Sequence, residues 1–284
     1  LKCVGKKRRK REILFSIFIL TLIFGALSTL NLFSEELSPQ HREWLSIVSP
    51  IITPTEREIF LKLKTDGERD KFIQFFWKQR DPEPGTSANE FYQEYMERVQ
   101  FADRNFGRGT ARRGSLTEQG YYYLLLGPPL ERQIFSTHSQ LYPLELRYYR
   151  GEERYGIPPY FYLIFYQPQG LGEYRLYNPG VEGPERLVTP LLYDQTTNRS
   201  TAFNVIKKIS AELADASLSY LPGQRVDTMA SFSSDTIIAG IRRLPEKKFS
   251  DAYARSYLQF KDFVETEYAD NFIESSTKVK VLKN

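Results

Sequence analysis

The residues that could do chemistry in this chain are few. Its 284 residues hold two histidines, His41 and His138, and one cysteine, Cys3. One cysteine excludes an internal disulfide framework and a thiolate zinc cluster, and two histidines supply little for an imidazole metal site or a general base. No metal and no cofactor is therefore expected. His138 stands in Ser136-Thr137-His138-Ser139, which could be imagined as part of a serine–histidine–acid arrangement. The chain has no Gly-x-Ser-x-Gly elbow to present a nucleophile, and this segment reads as a loop. His41 reads as a solvated residue. Glu152-Glu153 could serve as a glycosidase couple only with a second carboxylate about 5 to 10 Å away across a cleft; the plainer reading is two solvated loop residues. Gly170-Leu171-Gly172 lacks the third glycine and the following helix of a dinucleotide loop, so it reads as a turn. Arg80-Asp81-Pro82 falls at a predicted helix end, where Asp81 can cap or turn the chain and Arg80 can pair with a carboxylate such as Glu90. A latch of that kind explains the spacing without a substrate.

The aromatic residues are the other resource, with 20 Phe, 19 Tyr and 2 Trp. Tyrosines concentrate after residue 120, among them Tyr121, Tyr122, Tyr123, Tyr148, Tyr149, Tyr160, Tyr162 and Tyr166. On alternating strands one set would pack inward and the other face out. An outward tyrosine face offers a partner protein or a glycan apolar area with a polar tip, although the same rings also simply fit a pleated surface.

The elements that must position these residues follow from spacing. Pro39 begins a short helix with Trp44, Ile47 and Val48 on one face. Thr53-Pro54-Thr55-Glu56 and Thr65-Asp66-Gly67-Glu68 are capping boxes; the second opens a helix carrying Phe72, Ile73, Phe76 and Trp77. That helix stops where Asp81-Pro82-Glu83-Pro84-Gly85 cannot continue it. Ser87-Ala88-Asn89-Glu90 reads as a third box before the stripe Phe91, Tyr95, Val99, Ala102 and Phe106. From Tyr121 the pattern predicts strands: Tyr121 to Leu126, Leu144 to Tyr149, Tyr160 to Tyr166 and Glu173 to Tyr177, with Gly, Pro and Asn between them, as antiparallel neighbours need. A helix returns over Ala202 to Tyr220 and again over Asp235 to Arg243. Val264 to Tyr268 and Lys278 to Leu282 suggest a closing hairpin, and a further C-terminal strand or domain is an open alternative. The fold class expected is α+β, helical over 38–106, β-rich over 120–190, with residues 34–195 as one domain and 196–284 as a C-terminal region of helix and hairpin.

The charge is unevenly placed. Residues 1–12 hold seven Lys/Arg and one acid, a local net of +6, whereas the rest has 32 basic against 34 acidic residues. The body of the chain therefore has no global field to draw it to phosphates, and no nucleic-acid partner is expected. Residues 13–33 follow as 21 residues without a charge. At about 1.5 Å per residue a helix of that length spans a hydrocarbon core of about 30 Å, with the basic tail on the cytoplasmic side. Everything after residue 33 is then exported. The segment serves either as a single-pass inner-membrane anchor or as a signal cleaved near Ala26-Leu27-Ser28 to release the chain to the periplasm.

One stretch resembles a known family. Trp44-Leu45, Ile51-Ile52-Thr53-Pro54, Glu56-Arg57, Phe72-Ile73, Phe76-Trp77, Arg80-Asp81-Pro82, Pro84-Gly85-Thr86, Asn89-Glu90-Phe91 and Leu126-Gly127-Pro128-Pro129, in that order over roughly residues 40 to 180, look like the bacterial GWxTD-domain family. The eponymous motif departs here. Gly114-Ser115-Leu116-Thr117-Glu118 keeps Gly and Thr, changes Asp to Glu and loses the Trp. The resemblance implies an exported bacterial protein with an α+β domain and no particular reaction. It makes Trp77, Arg80, Asp81, Asn89, Glu90, Thr117 and Glu118 the candidate binding residues, with no catalytic residue assigned. The function expected is a non-enzymatic interaction or scaffolding module of the cell envelope with a protein partner there. The alternative is a periplasmic hydrolase acting on peptide or glycan. A deep pocket of convergent acids would favour the enzyme; an exposed aromatic patch or open sheet edge would favour the binder.

Overall fold

A computed structural model describes residues 37–190, 198–224 and 230–254. The apolar N-terminal run and the expected hairpin of residues 264–268 and 278–282 lie outside them. Among the described residues no helix is long and apolar enough to cross a membrane.

The first half is helical, and its starts are those the capping chemistry specifies. Helix α1 (Pro39–Val48) has Ser38 as its cap and proline in its first turn. In α2 (Pro54–Lys62) and α3 (Asp66–Lys78), Thr53 with Glu56 and Thr65 with Glu68 form complete reciprocal boxes, each satisfying two otherwise orphaned amides. Helix α4 (Glu90–Asn105) is capped by Asn89, whose side chain accepts from the Tyr92 amide; Ser87, the expected cap, lies outside the helix. Trp44 of α1 packs on Phe60 of α2 at 4.7 Å between ring centroids and on Phe76 of α3 at 5.1 Å, so these helices share one aromatic core.

That packing corrects the reading of His41, which is buried rather than solvated, with 3% of its surface exposed. Its Nε2 lies 2.9 Å from Asp70 Oδ1 and its Nδ1 2.7 Å from Ser38 Oγ. Placed near the start of α1, the ring is carried inward against α3, where Asp66 and Asp70 supply polar partners.

The sheet begins later than the apolar pattern predicts. Tyr121 to Leu126 is not a strand but the body of helix α5 (Glu118–Leu126), with Thr117 as its cap and Gly127 as its C-cap at φ +82°. The strand-prone tyrosines are overridden by start and stop signals at both ends, and by burial of Tyr122, Tyr123, Leu124 and Leu125. Four strands then form one antiparallel sheet in chain order: β1 (Glu131–Phe135), β2 (Leu144–Arg150), β3 (Tyr160–Tyr166) and β4 (Arg175–Leu176). Strand β1 was missing from the sequence pattern because Glu131-Arg132-Gln133 interrupts any apolar alternation.

Register pairs Glu145 with Phe165 and Arg147 with Leu163, so two charged residues stand on a buried face. They are tolerated because they satisfy each other and α5. Arg147 Nε donates to Glu145 Oε1 at 2.5 Å, Arg132 donates to both Glu145 oxygens at 2.6 and 2.8 Å, and Gln119 Nε2 donates to Glu145 Oε2 at 3.1 Å. The Arg147 guanidinium also lies over the rings of Phe106 and Phe165.

The predicted helix over residues 202–220 is two helices, α6 (Arg199–Ile209) and α7 (Ala211–Ala216). Ser210 separates them, because its side chain accepts from the Leu213 amide and so begins a new helix in place of continuing the old one. Helices α8 (Ala230–Arg242) and α9 (Leu244–Lys248) follow, and the described chain ends in a helical stretch at 252–254. Tyr220 closes the sheet beyond the short β4, its carbonyl accepting from the Tyr162 amide at 2.9 Å.

Candidate functional site

The seven candidate residues fall into two groups with no hydrogen bond or ion pair between them among the described residues. The first joins α2, α3 and α4. Arg80, at the end of α3, does not pair with Glu90; it donates to Glu56 Oε1 and Oε2 at 3.0 and 2.8 Å, to the Phe76 carbonyl at 3.1 Å and to the Ile51 carbonyl at 3.0 Å. Both side chains of the pair are fully buried. Glu56 wins over Glu90 because its capping-box geometry already points its carboxylate at the core, where it accepts from the Thr53 amide at 2.8 Å. The guanidinium is sandwiched between the rings of Phe76 and Phe249 at 3.6 and 4.4 Å, and the Tyr253 hydroxyl donates to Glu56 Oε1 at 2.8 Å. Burial, with the neighbouring Glu56 charge, pushes the Tyr253 hydroxyl up.

Trp77, Asn89, Asp81 and Glu90 build the turn beside this pair. Asn89 caps α4 with its oxygen and donates its Nδ2 to the Trp77 carbonyl at 2.7 Å, binding the start of one helix to the end of another. Trp77 packs on Phe76, Phe91, Tyr92 and Tyr95. Asp81 Oδ1 accepts from the Glu83 amide at 3.1 Å, and Glu90 Oε1 accepts from Thr86 Oγ1 at 2.8 Å. These four residues hold the chain's own turn, and Arg80 beside them is committed to Glu56.

The second group lies where α5 begins. Gly114–Leu116 is a single 3₁₀ turn, and Thr117 Oγ1 accepts from the Gly120 amide at 3.1 Å and donates to the Gly114 carbonyl at 2.7 Å. Glu118 Oε2 accepts from the Leu176 amide of β4 at 3.0 Å, while the Glu118 amide donates to Glu173 Oε1 at 3.1 Å. Burial raises the Glu118 carboxyl above the usual carboxylate range; the Leu176 hydrogen bond, Arg242 and Arg175 oppose this, and Glu173 reinforces it.

This second group opens onto a cleft of about 1670 Å³. Its lining includes the end of α1 (Ser46, Ser49), the 3₁₀ turn, α5 (Glu118, Tyr121, Tyr122), two loops after β3 and Arg242 of α8. Four acids, Glu118, Glu173, Glu182 and Glu185, and four arginines, Arg112, Arg175, Arg186 and Arg242, line it, so the cleft has no net charge. The acids are largely committed. Glu173 also receives Arg112 at 3.4 Å, and Glu182 accepts from the Tyr166 hydroxyl at 2.5 Å and the Asn178 amide at 3.0 Å. The Arg242 guanidinium is freer, with one hydrogen bond among the described residues, from Nε to the Tyr122 hydroxyl at 3.4 Å. Two apolar side chains stand on the rim with most of their surface in water, Leu171 and Val181, each 80% exposed.

Leu171 lies in the predicted Gly170-Leu171-Gly172 turn, whose glycines have φ +75° and +82°, the left-handed backbone that glycine adopts at low cost. His138 lies exposed in its loop, with its ring near Phe135. Glu152 pairs with Arg154 and Lys248 at the surface. Among the described residues no group of three His, Cys, Asp or Glu could hold a metal ion. Glu56 was singled out in the sequence as a capping residue and as part of the family resemblance, with no sign of its pairing with Arg80, and Arg242 carries no local signal.

Residues 27–149, from the predicted apolar run to the second strand, match the family model of the GWxTD domain. No curated protein and no solved structure matches the chain.

Proposed function

We propose that this protein is a non-catalytic interaction module of the bacterial cell envelope, held at the inner membrane by residues 13–33 or released to the periplasm after signal cleavage, and that the cleft beside Thr117 and Glu118 docks a protein partner. The supporting observation is the character of the cleft: tyrosines and arginines in its lining, exposed Leu171 and Val181 beside them, and in Arg242 a guanidinium with donors to spare. Apolar anchors beside unfilled arginine donors are what a protein surface with carboxylates can use. The test is in-cell cross-linking of the tagged full chain, detergent purification and mass spectrometry, with Arg242→Glu and Leu171→Asp alongside. Near-stoichiometric recovery of one or two envelope proteins, lost in both variants, supports the reading. A chain that purifies alone overturns it.

One observation favours the alternative, a hydrolase of peptide or glycan. Glu118 is a half-buried carboxyl, raised by burial and facing an open cleft with other carboxylates, which is how a general acid is set up. Turnover of peptidoglycan or peptide by the full chain, abolished by Glu118→Gln with folding intact, would establish that reading in place of the first.

A further inference from the structure

The two edges of the sheet are treated differently. Beyond β4 the Tyr220 segment takes over, with its carbonyl bound to the Tyr162 amide and its hydroxyl to the Ile164 amide. Beside β1, by contrast, no further strand pairs among the described residues. Edge strands are usually guarded by outward charge, proline or a bulge. Strand β1, Glu131-Arg132-Gln133-Ile134-Phe135, contains no proline. Its central cation is also withdrawn: both oxygens of Glu145 hold the Arg132 guanidinium, which lies 5.2 Å from the Phe106 ring. What remains exposed along the edge is Glu131 and two apolar side chains, Ile134, 56% exposed, and Leu130, just before the strand, 60% exposed.

The neighbouring face is acidic. Gln133 Nε2 bridges Glu131 Oε1 and Glu212 Oε2, each at 2.7 Å, and Glu131, Glu212 and Asp215 all act on the nearby Tyr162 hydroxyl, which burial and these charges push up. None of the three acids forms an ion pair among the described residues. Side chains alternate across a strand, so a segment laid along β1 would set every second residue beside Ile134 and the others beside Glu131 and Glu212.

We infer that the β1 edge is a second docking surface, which accepts an extended segment of a partner protein in which apolar residues alternate with Lys or Arg. Main-chain hydrogen bonds along the edge supply affinity; the apolar positions and the carboxylates set register and sign. This surface is separate from the cleft and stands or falls independently of it.

The test uses the full chain in detergent and two labelled eight-residue peptides, one alternating Lys with Val and the other Glu with Val, read by fluorescence anisotropy. The Lys–Val peptide is expected to bind, roughly tenfold or more tighter than the Glu–Val peptide and more weakly as salt rises, while slowing hydrogen exchange at residues 131–135. Ile134→Lys, at an exposed position, should abolish binding without changing the melting temperature. Arg242→Glu should leave it unchanged. Equal binding of both peptides, binding unaffected by Ile134→Lys, or binding lost in Arg242→Glu would each overturn the proposal, the last by placing the peptide in the cleft. The chain's own Lys278-Val279-Lys280-Val281-Leu282 has the same alternation. Peptide binding that appears only after Lys278→Glu and Lys280→Glu would make that segment the occupant and overturn the assignment to a partner.

Discussion

Replacing Arg80 by Met tests whether the candidate residues of the first group are architecture. Arg80 and Glu56 have fully buried side chains, and the arginine makes four hydrogen bonds, two to the carboxylate and two to main-chain carbonyls of Phe76 and Ile51. Methionine keeps much of the apolar stem between Phe76 and Phe249 but leaves the Glu56 carboxylate without its counter-charge. Breaking a buried pair in this way costs about 3–5 kcal/mol. In a chain of this size each kcal/mol lowers the melting temperature by about 2–4 °C, giving a fall of about 6–20 °C. Circular dichroism melts of the full chain in detergent measure it. Adding Glu56→Gln to Arg80→Met should recover part of the loss, because the stranded charge is gone; the coupling between two touching residues reaches about 0.5–3 kcal/mol. A fall under about 1 kcal/mol for Arg80→Met, the range of an exposed pair, or strictly additive losses in the double variant, would refute the argument that this pair is a closed internal latch.

Other outcomes follow from the second group and the sheet. Gly114→Ala should destabilise by about 1–3 kcal/mol or more by overpacking, since a Cβ there would lie 1.9 Å from the Ala102 carbonyl oxygen; urea titration measures it. Thr117→Ala should cost about 1 kcal/mol as a lost cap, with Thr117→Ser retaining most of it. For Glu145, burial alone would raise the carboxyl, but Arg147 and Arg132 outweigh it and hold the group below the ordinary carboxylate range. That contribution is complete above the unfolded value near 4.3 and is lost as pH falls through the lower folded value. Stability measured from pH 6 to pH 2 should therefore fall less steeply in Glu145→Gln than in the parent, although the variant is less stable at neutral pH.

Helix starts were legible because capping is local chemistry. Thr53 with Glu56 and Thr65 with Glu68 are each three residues apart, and nothing distant can alter what that spacing does. Strands β2 and β3 were legible for a similar reason, as long runs of strand-forming residues. Tyr121 to Leu126 was misread because its tyrosines and leucines suit a strand as well as a buried helix, and the deciding signals lay outside the run, in Thr117 and Gly127. Within the candidate site the residue types were readable and their partners were not. Asn89 and Thr117 act as caps on their own neighbours, whereas Arg80 chose a carboxylate 24 positions away, Glu118 an amide 58 away and His41 a carboxylate 29 away. Such choices depend on how helices pack, which no local spacing encodes. The cleft was invisible altogether, since its walls come from segments between Ser46 and Arg242 that lie far apart in the sequence.

The same geometry accounts for the residue types along Gly114-Ser115-Leu116-Thr117-Glu118. Gly114 is required because α4 passes so close that only a hydrogen fits; Gly120 is required one turn on, where a Cβ would meet the Gly114 carbonyl oxygen at 2.1 Å. Thr117 caps α5, and Glu118 reaches across to β4. Position 115 contributes to this junction through its backbone: the Ser115 amide donates to Asp103 Oδ1 at 2.8 Å, and Asp103 in turn holds Arg113. That bond needs an N–H and no particular side chain. The segment thus joins the end of α4, the start of α5 and β4 through the Ser115 amide and the Thr117 and Glu118 side chains, with Ser115 itself buried at the lining of the cleft.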